Sequence, residues 1–148
     1  MPTFNDLGFA FVNIKTKQFA TIKEAYRKTG DLQLEADAGY GISVEKKQIV
    51  VNTRFRFYKK ESPFITLEVD CFFEINKKGW KTFERDNGDI ILPNNLIGHL
   101  TVLSIGTTRG ILHTKTEGTR YNKYILPTIN VNELIDNDDV AFSAEELN

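Results

Sequence analysis

One cysteine, Cys71, in 148 residues excludes an internal disulfide and fits a reduced compartment. An excess of charge is also missing. Lys and Arg number 19 against 20 Asp and Glu, so no net field draws the chain to nucleic acid or to an anionic membrane. No stretch approaches the roughly eighteen consecutive apolar residues of a membrane span. The N-terminal MPTFNDLGFAFVNIK has no basic region leading into an apolar one, so a cytoplasmic chain without direct membrane insertion is expected. No glycine-rich phosphate loop follows any strand-like segment. The two histidines, His99 and His113, fall about 21 Å apart along a helix, too far to share a metal. Cys71 alternates with apolar neighbours and reads as a small buried hydrophobe, not a nucleophile. Asp86-Asn87-Gly88-Asp89 lacks the first oxygen and the bidentate Glu of a calcium loop and reads as a plain turn. No catalytic residue, metal or cofactor is expected.

What is present is one long helix. Pro93 cannot continue a helix backwards and Asn94 or Asn95 caps its start, while Gly118 stops it. Between them Leu96, Leu100, Leu103, Thr107 and Gly110 recur at three and four, with Ile97, Ser104, Ile105, Thr108 and Leu112 on an adjoining stripe. Gly98, Thr101, Ser104, Gly106, Thr107, Thr108 and Gly110 make this helix rich in small residues. Each interior Gly costs about 0.5–1 kcal/mol relative to Ala, and the compensation expected is close approach of another backbone. A rod of roughly 36 Å can cover a whole sheet and still offer a face to a second copy.

Four strand patterns precede it. From Phe9, FAFVNIKTKQFATIK alternates and then changes phase before Phe19, which predicts a bulge at a sheet edge. Residues 32–44 and 49–58 form a hairpin about Glu45-Lys46-Lys47, and Phe64 to Ile75 supplies the fourth strand. Arg54 and Arg56 are expected to face Glu68, Asp70 or Glu74 across the ladder. The basic residues from Lys15 to Lys28 and from Arg54 to Lys60 read as a solvated sheet face. Lys77 to Asp89 is a loop carrying Trp80 and Phe83, and a short helix containing Val131, Leu134 and Ile135 follows Pro127. Beyond it lie only acids, so a frayed tail is expected. The expectation is an α+β fold in which a four-stranded antiparallel sheet carries one long helix and one short C-terminal helix. Residues 1–136 would form a single domain, with 137–148 an acidic, flexible tail.

Eleven phenylalanines are more than one sheet face and one helix bury, and Phe9, Phe11, Phe19, Phe64 and Phe72 sit off the core-facing phase. Either copies associate or another chain uses that surface. Two alternatives of other kinds remain open: a small-ligand-binding α+β domain, for which the core-facing list offers only Thr53 and Cys71 as polar breaks, and a scaffold subunit.

The order of elements, IKTKQF in the first strand, TLEV in the fourth, and above all EGTRYNKYILPTINVNELI after the long helix resemble the SecB export-chaperone family over nearly the whole chain. The resemblance implies a homodimer or homotetramer built through edge strands and long helices, and an ATP-independent holdase for unfolded polypeptides rather than an enzyme. It places client-binding apolar residues at Phe9, Phe11, Phe19, Tyr40, Ile42, Tyr121, Tyr124 and Ile135, and an oligomer interface at Val12, Ile14, Gly98, Thr101 and Thr108. It makes Glu68 a docking candidate for the SecA motor of protein export and translocation. Gln18 and Ile22 stand where acids are expected in that docking face, and removing acids from a complementary patch slows and weakens association. That departure leans toward the family's other use, holding the antitoxin of a toxin–antitoxin system.

Overall fold

A computed structural model describes residues 2–135 and 138–147. Strands β1 (Phe9–Thr21), β2 (Gln33–Ser43), β3 (Gln48–Tyr58) and β4 (Pro63–Ile75) form one antiparallel sheet in the order β1-β4-β3-β2. A short helix α1 (Lys77–Lys81) and strand β5 (Ile90–Leu92) lead into the long helix α2 (Asn94–Thr116), followed by α3 (Val131–Leu134) and strand β6 (Val140–Phe142). The α+β architecture expected from periodicity is therefore present.

The alternation of β3 and β4 decides where the core lies. Ile49, Val51, Thr53, Phe55 and Phe57 pair across to Phe73, Cys71, Val69, Leu67 and Ile65, and all ten are buried. Helix α2 packs on these two central strands, burying Ile97, Leu100, Thr101, Ser104, Ile105, Thr108, Leu112 and Thr116. A helix so rich in Thr and Ser can sit on an apolar sheet because its hydroxyls are satisfied locally. Thr101, Ser104, Thr108 and Thr116 donate to the carbonyls of Ile97, Leu100, Ser104 and Leu112 at 2.6–2.8 Å. Two hydroxyls also reach the sheet, Thr108 to Thr53 at 2.9 Å and Thr101 to Tyr40 at 2.7 Å.

β1 carries two register shifts, between Phe11 and Asn13 and between Thr16 and Gln18. Each extra residue flips the phase. Phe9, Phe11, Ile14, Thr16 and Phe19 thus all pair with the buried row of β4, opposite Ile75, Phe73, Cys71, Val69 and Leu67. This corrects the reading of Phe9, Phe11 and Phe19 as off-phase: two bulges, not one, bring them onto the core-facing side. Phe64, also expected outside, is buried among Tyr26, Tyr121 and Tyr124 at 5.0–6.3 Å between ring centroids. Only Phe72 keeps its outward position, with the Lys15 ammonium 5.7 Å from its ring.

On that outer face Arg56 bonds Glu35 of β2 at 2.8 Å rather than an acid of β4, because its β4 neighbour is Thr66. Asn52 instead bridges Glu68 and Asp70, at 2.8 and 2.7 Å. The loop expected at Lys77 to Asp89 contains α1, capped by the Asn76 side chain on the Gly79 N–H at 2.7 Å, and it buries Trp80 against Phe83.

The C-terminal segment departs most from expectation. Where a free acidic tail is expected, Val140–Phe142 pairs antiparallel with Ile90–Leu92. Asp139 accepts the Asn94 N–H at 2.7 Å and Asp89 accepts the Ala144 N–H at 2.8 Å. Two acids counted as tail and turn are therefore structural acceptors. Asp136, part of the expected acidic run, lies outside the described residues.

Candidate functional site

Four strands about 4.8 Å apart make a sheet roughly 19 Å wide, and a helix with its side chains spans only about 10–12 Å. One helix laid on β3 and β4 leaves the core-facing side chains of both edge strands partly bare.

Beside β1, Phe11 is 39% exposed and Ile14 47% exposed although both face the core side. Phe11 leans on Phe73 at 4.5 Å. Across from them Thr16, Thr107, Gly110, Ile111 and Thr114 line a cleft of about 400 Å³ between strand and helix. Beside β2, the row Leu34, Ala36, Ala38, Tyr40 and Ile42 is half-buried throughout. Ala38, Tyr40, Ile97, Leu134, Ile135 and Val140, with Asp138 and Asp139, enclose a groove of about 300 Å³. A third apolar recess of about 370 Å³ lies at the start of α2, among Leu7, Ile75, Phe83, Pro93, Leu96 and His99.

The residues expected to bind a client do not form one surface. Phe11, Phe19, Tyr40 and Ile42 lie on the two bare margins. Phe9, Tyr121 and Tyr124 are corrected to core positions, each less than a tenth exposed, while Ile135, equally buried, walls the groove beside Tyr40. Phe9 packs edge-on against Phe73 and His99. Tyr121 and Tyr124 close the far end of the sheet with Tyr26 and Phe64. An aromatic count does not distinguish a groove from a closed cluster, which is why these were misassigned. Leu34, Ala36 and Ala38 were missed as client surface because alternation places them on the helix-side face without showing that the helix leaves that margin uncovered. Their period-two spacing with Tyr40 and Ile42 was the available signal.

The expected oligomer interface divides in the same way. Val12 and Ile14 are exposed on β1, Val12 at the first bulge. Thr101 and Thr108 are fully buried and bonded to the sheet, so they are corrected to the inner face. Gly98 faces α3, since a Cβ there would lie 3.6 Å from Ile135. The open row of α2 is instead Val102, 54% exposed, with Gly106 and Gly110, where an added Cβ would meet nothing within 4 Å. These three follow at the four-residue spacing of one helix face.

Glu68 lies half-buried on the outer face, opposite Gln18 and Arg54, and Lys17 stands 3.9 Å from Asp70. The charges there are mixed. Burial pushes the Cys71 thiol above its ordinary value, which disfavours the thiolate. Burial likewise raises the Tyr40 phenol. His113 has a Glu117 carboxylate at 3.6 Å, and His99 contacts Phe9. Among the described residues no three His, Cys, Asp or Glu side chains come together, and no helix is long and apolar enough to cross a membrane.

No protein-family profile and no curated protein sequence matches the chain. Among solved structures the chain is similar to a SecB-like chaperone of Mycobacterium tuberculosis, solved in complex with a ChAD peptide from the HigA1 antitoxin. The identity is 12%, the TM-score 0.47, and the match covers 82% of this chain and 91% of that one.

Proposed function

We propose that the protein is an ATP-independent holdase that binds extended, non-native polypeptide on the two bare margins of its sheet. The observation that carries this reading is the exposure of core-facing apolar side chains on both edge strands, Phe11 and Ile14 on one side and the Leu34-to-Ile42 row on the other. Side chains that alternate along a strand offer a register of shallow apolar sites. Such sites accept many sequences, because apolar burial is non-directional. A second copy on the open row of α2 fits the same reading and supplies a homo-oligomer. Residues 1–136, with the β6 segment paired onto β5, then act as one holding domain.

A dedicated client such as an antitoxin is favoured over use in export. Docking a basic motor calls for an acidic face, and here Asp70 sits beside Lys17 and Asn52 while Lys15 covers Phe72. The test is light scattering of a refolding, aggregation-prone protein with stoichiometric amounts of this chain and no nucleotide. Suppression is expected. Undiminished aggregation by folded protein refutes the reading and favours a scaffold.

A further inference from the structure

Where β1, β3 and α2 end, three separate segments bring cations together: Lys23, Arg27 and Lys28 about the turn after β1, Lys59 and Lys60 between β3 and β4, and Arg120 and Lys123 after α2. Their convergence is geometric. The Lys59 ammonium donates to the Lys28 carbonyl at 3.1 Å. The Arg120 guanidinium lies 4.3 Å above the Tyr26 ring, and Lys59 and Lys123 stand 5.8 and 5.3 Å from the Tyr124 ring. The Tyr26 and Tyr124 hydroxyls share a bond of 3.1 Å. Thus cations from two of the segments surround one buried tyrosine pair, and the first segment joins them through the Lys28 carbonyl and through Arg27, which lines one cleft with Lys60. Glu24, Asp31, Glu61 and Glu117 accompany them, and Glu35, paired with Arg56, lines a recess with Lys59 and Lys60; among the described residues none of the seven cations makes an ion pair. All but Lys59 are exposed.

Next to this rim a cleft of about 420 Å³ opens between the two turns, with Ile22 and Ala25 as its apolar part, Arg27 and Lys60 as cations, and Glu24, Glu61 and Ser62 completing it. Leu32 is exposed nearby. Single-stranded nucleic acid would need open ring faces for base stacking, but Tyr26, Tyr121 and Tyr124 are buried against Phe64 and one another. Two carboxylates in the cleft also repel a continuous phosphate backbone. A peptide needs no open ring face, and it can place its carboxylates beside the cations and an uncharged aliphatic group beside Glu24 and Glu61.

We propose that this end of the sheet is a docking surface for an acidic, aliphatic-bearing segment of a partner polypeptide. Asp or Glu side chains of that segment pair with Lys28, Lys60 and Lys123, and an aliphatic side chain settles on Ile22 and Ala25. The surface is separate from the apolar margins, so it stands whether or not the protein holds unfolded chains.

The test is fluorescence anisotropy of the full chain with a short labelled peptide of Glu and interspersed Leu. Its Glu→Gln counterpart and a labelled oligothymidylate serve as competitors of different chemistry. The Glu peptide is expected to bind at least about tenfold more tightly than either, and to weaken as salt shortens the screening length. K28E/K60E/K123E, with circular dichroism confirming its fold, is expected to lose about tenfold or more, whereas K15E/K17E on the outer face retains binding. Equal affinity for the Gln peptide, or unchanged binding by the triple variant, overturns the proposal. Tighter binding of oligothymidylate overturns it in favour of nucleic acid. The peptide comparison uses the unmodified protein and decides the matter even if the triple variant does not fold.

Discussion

Replacing Phe11 and Ile14 together by Ser separates surface offered to a client from surface used by the fold. Full burial of a Phe or Ile side chain is worth about 1.5–3 kcal/mol. Phe11 at 39% and Ile14 at 47% exposure have spent little more than half of that on folding. The double variant F11S/I14S should therefore lose about 3 kcal/mol of stability, tolerable for a domain holding about 5–15 kcal/mol. The unspent part, about 1 kcal/mol per side chain, is what a client gains by covering them. Its loss corresponds to roughly thirtyfold weaker holding. Because Ser also destabilises, a matched control is required. Ile49 is fully buried on β3 and faces no client, and I49A costs about 2–5 kcal/mol. In a stoichiometric aggregation assay below both melting temperatures, F11S/I14S should fail to suppress scattering while I49A suppresses like the parent. Equal activity of F11S/I14S and parent, or equal loss in I49A, refutes the assignment of the β1 margin.

Three further outcomes are expected. In a double-mutant cycle on the buried pair at 2.9 Å, T53V and T108V should each cost about 1 kcal/mol by denaturant unfolding, and the double variant less than their sum by about 0.5–1 kcal/mol; strict additivity would show that the pair does not couple. The Tyr124 phenol is pushed up to about 12, mainly by burial and then by its bond to Tyr26, whereas the bond from Tyr124 and the charges of Lys123 and Lys59 lower Tyr26. The folded state keeps the Tyr124 proton from pH 10 to about 12 while the unfolded state releases it, so this group's contribution to stability falls as pH rises through that window. Y124F should remove that fall and raise the Tyr26 pKa, read as a delayed phenolate absorbance; an unshifted titration contradicts the pairing. Gly118 has φ +76°, so G118A should cost about 1 kcal/mol. Gly106 is an open helical position, so G106A should gain about 0.5–1 kcal/mol in the separated chain. Light scattering should show G106A also weakening self-association, and an unchanged mass removes the α2 row from the interface.

Much of the fold was legible because its signals are local. Pro93 and Gly118 bracket α2, whose described span ends at Thr116, and the alternation of β3 and β4 identifies their buried row without help from distant residues. Elements defined by a remote partner were not legible. β6 exists because Val140, Ala141 and Phe142 meet Leu92, Ile91 and Ile90, some fifty residues earlier, and its flanking acids disguise it. The faces of β1 depended on two bulges, each of which inverts every assignment beyond it. On α2 the small-residue rule pointed at Thr101 and Thr108, yet their hydroxyls bond back to the helix and across to the sheet, so they face inward. The basic end was hidden for another reason. Its cations come from three stretches that each look like an ordinary solvated turn.

Under the proposed holdase reading, the two margins would hold a client in different ways. Lys15 and Lys17 and two register shifts break the β1 edge into short pieces, which is how edge strands resist pairing with another chain. An extended segment arriving there finds no long run of regularly spaced N–H and C=O groups. It must bind through side chains on the face, where Phe11 and Ile14 stand open. β2 pairs with β3 without interruption from Gln33 to Ser43, so its other edge keeps regular spacing over eleven residues. It lacks bulges, and its defence is charge at Glu35 and Asp37 alone, confined to the half that precedes Ala38. The Tyr40 to Ile42 half combines an unbulged edge with apolar side chains, beside the groove that Leu134, Ile135 and Val140 form with Tyr40. Of the two margins, β1 is suited to apolar contact without register, and β2 to a segment held in register.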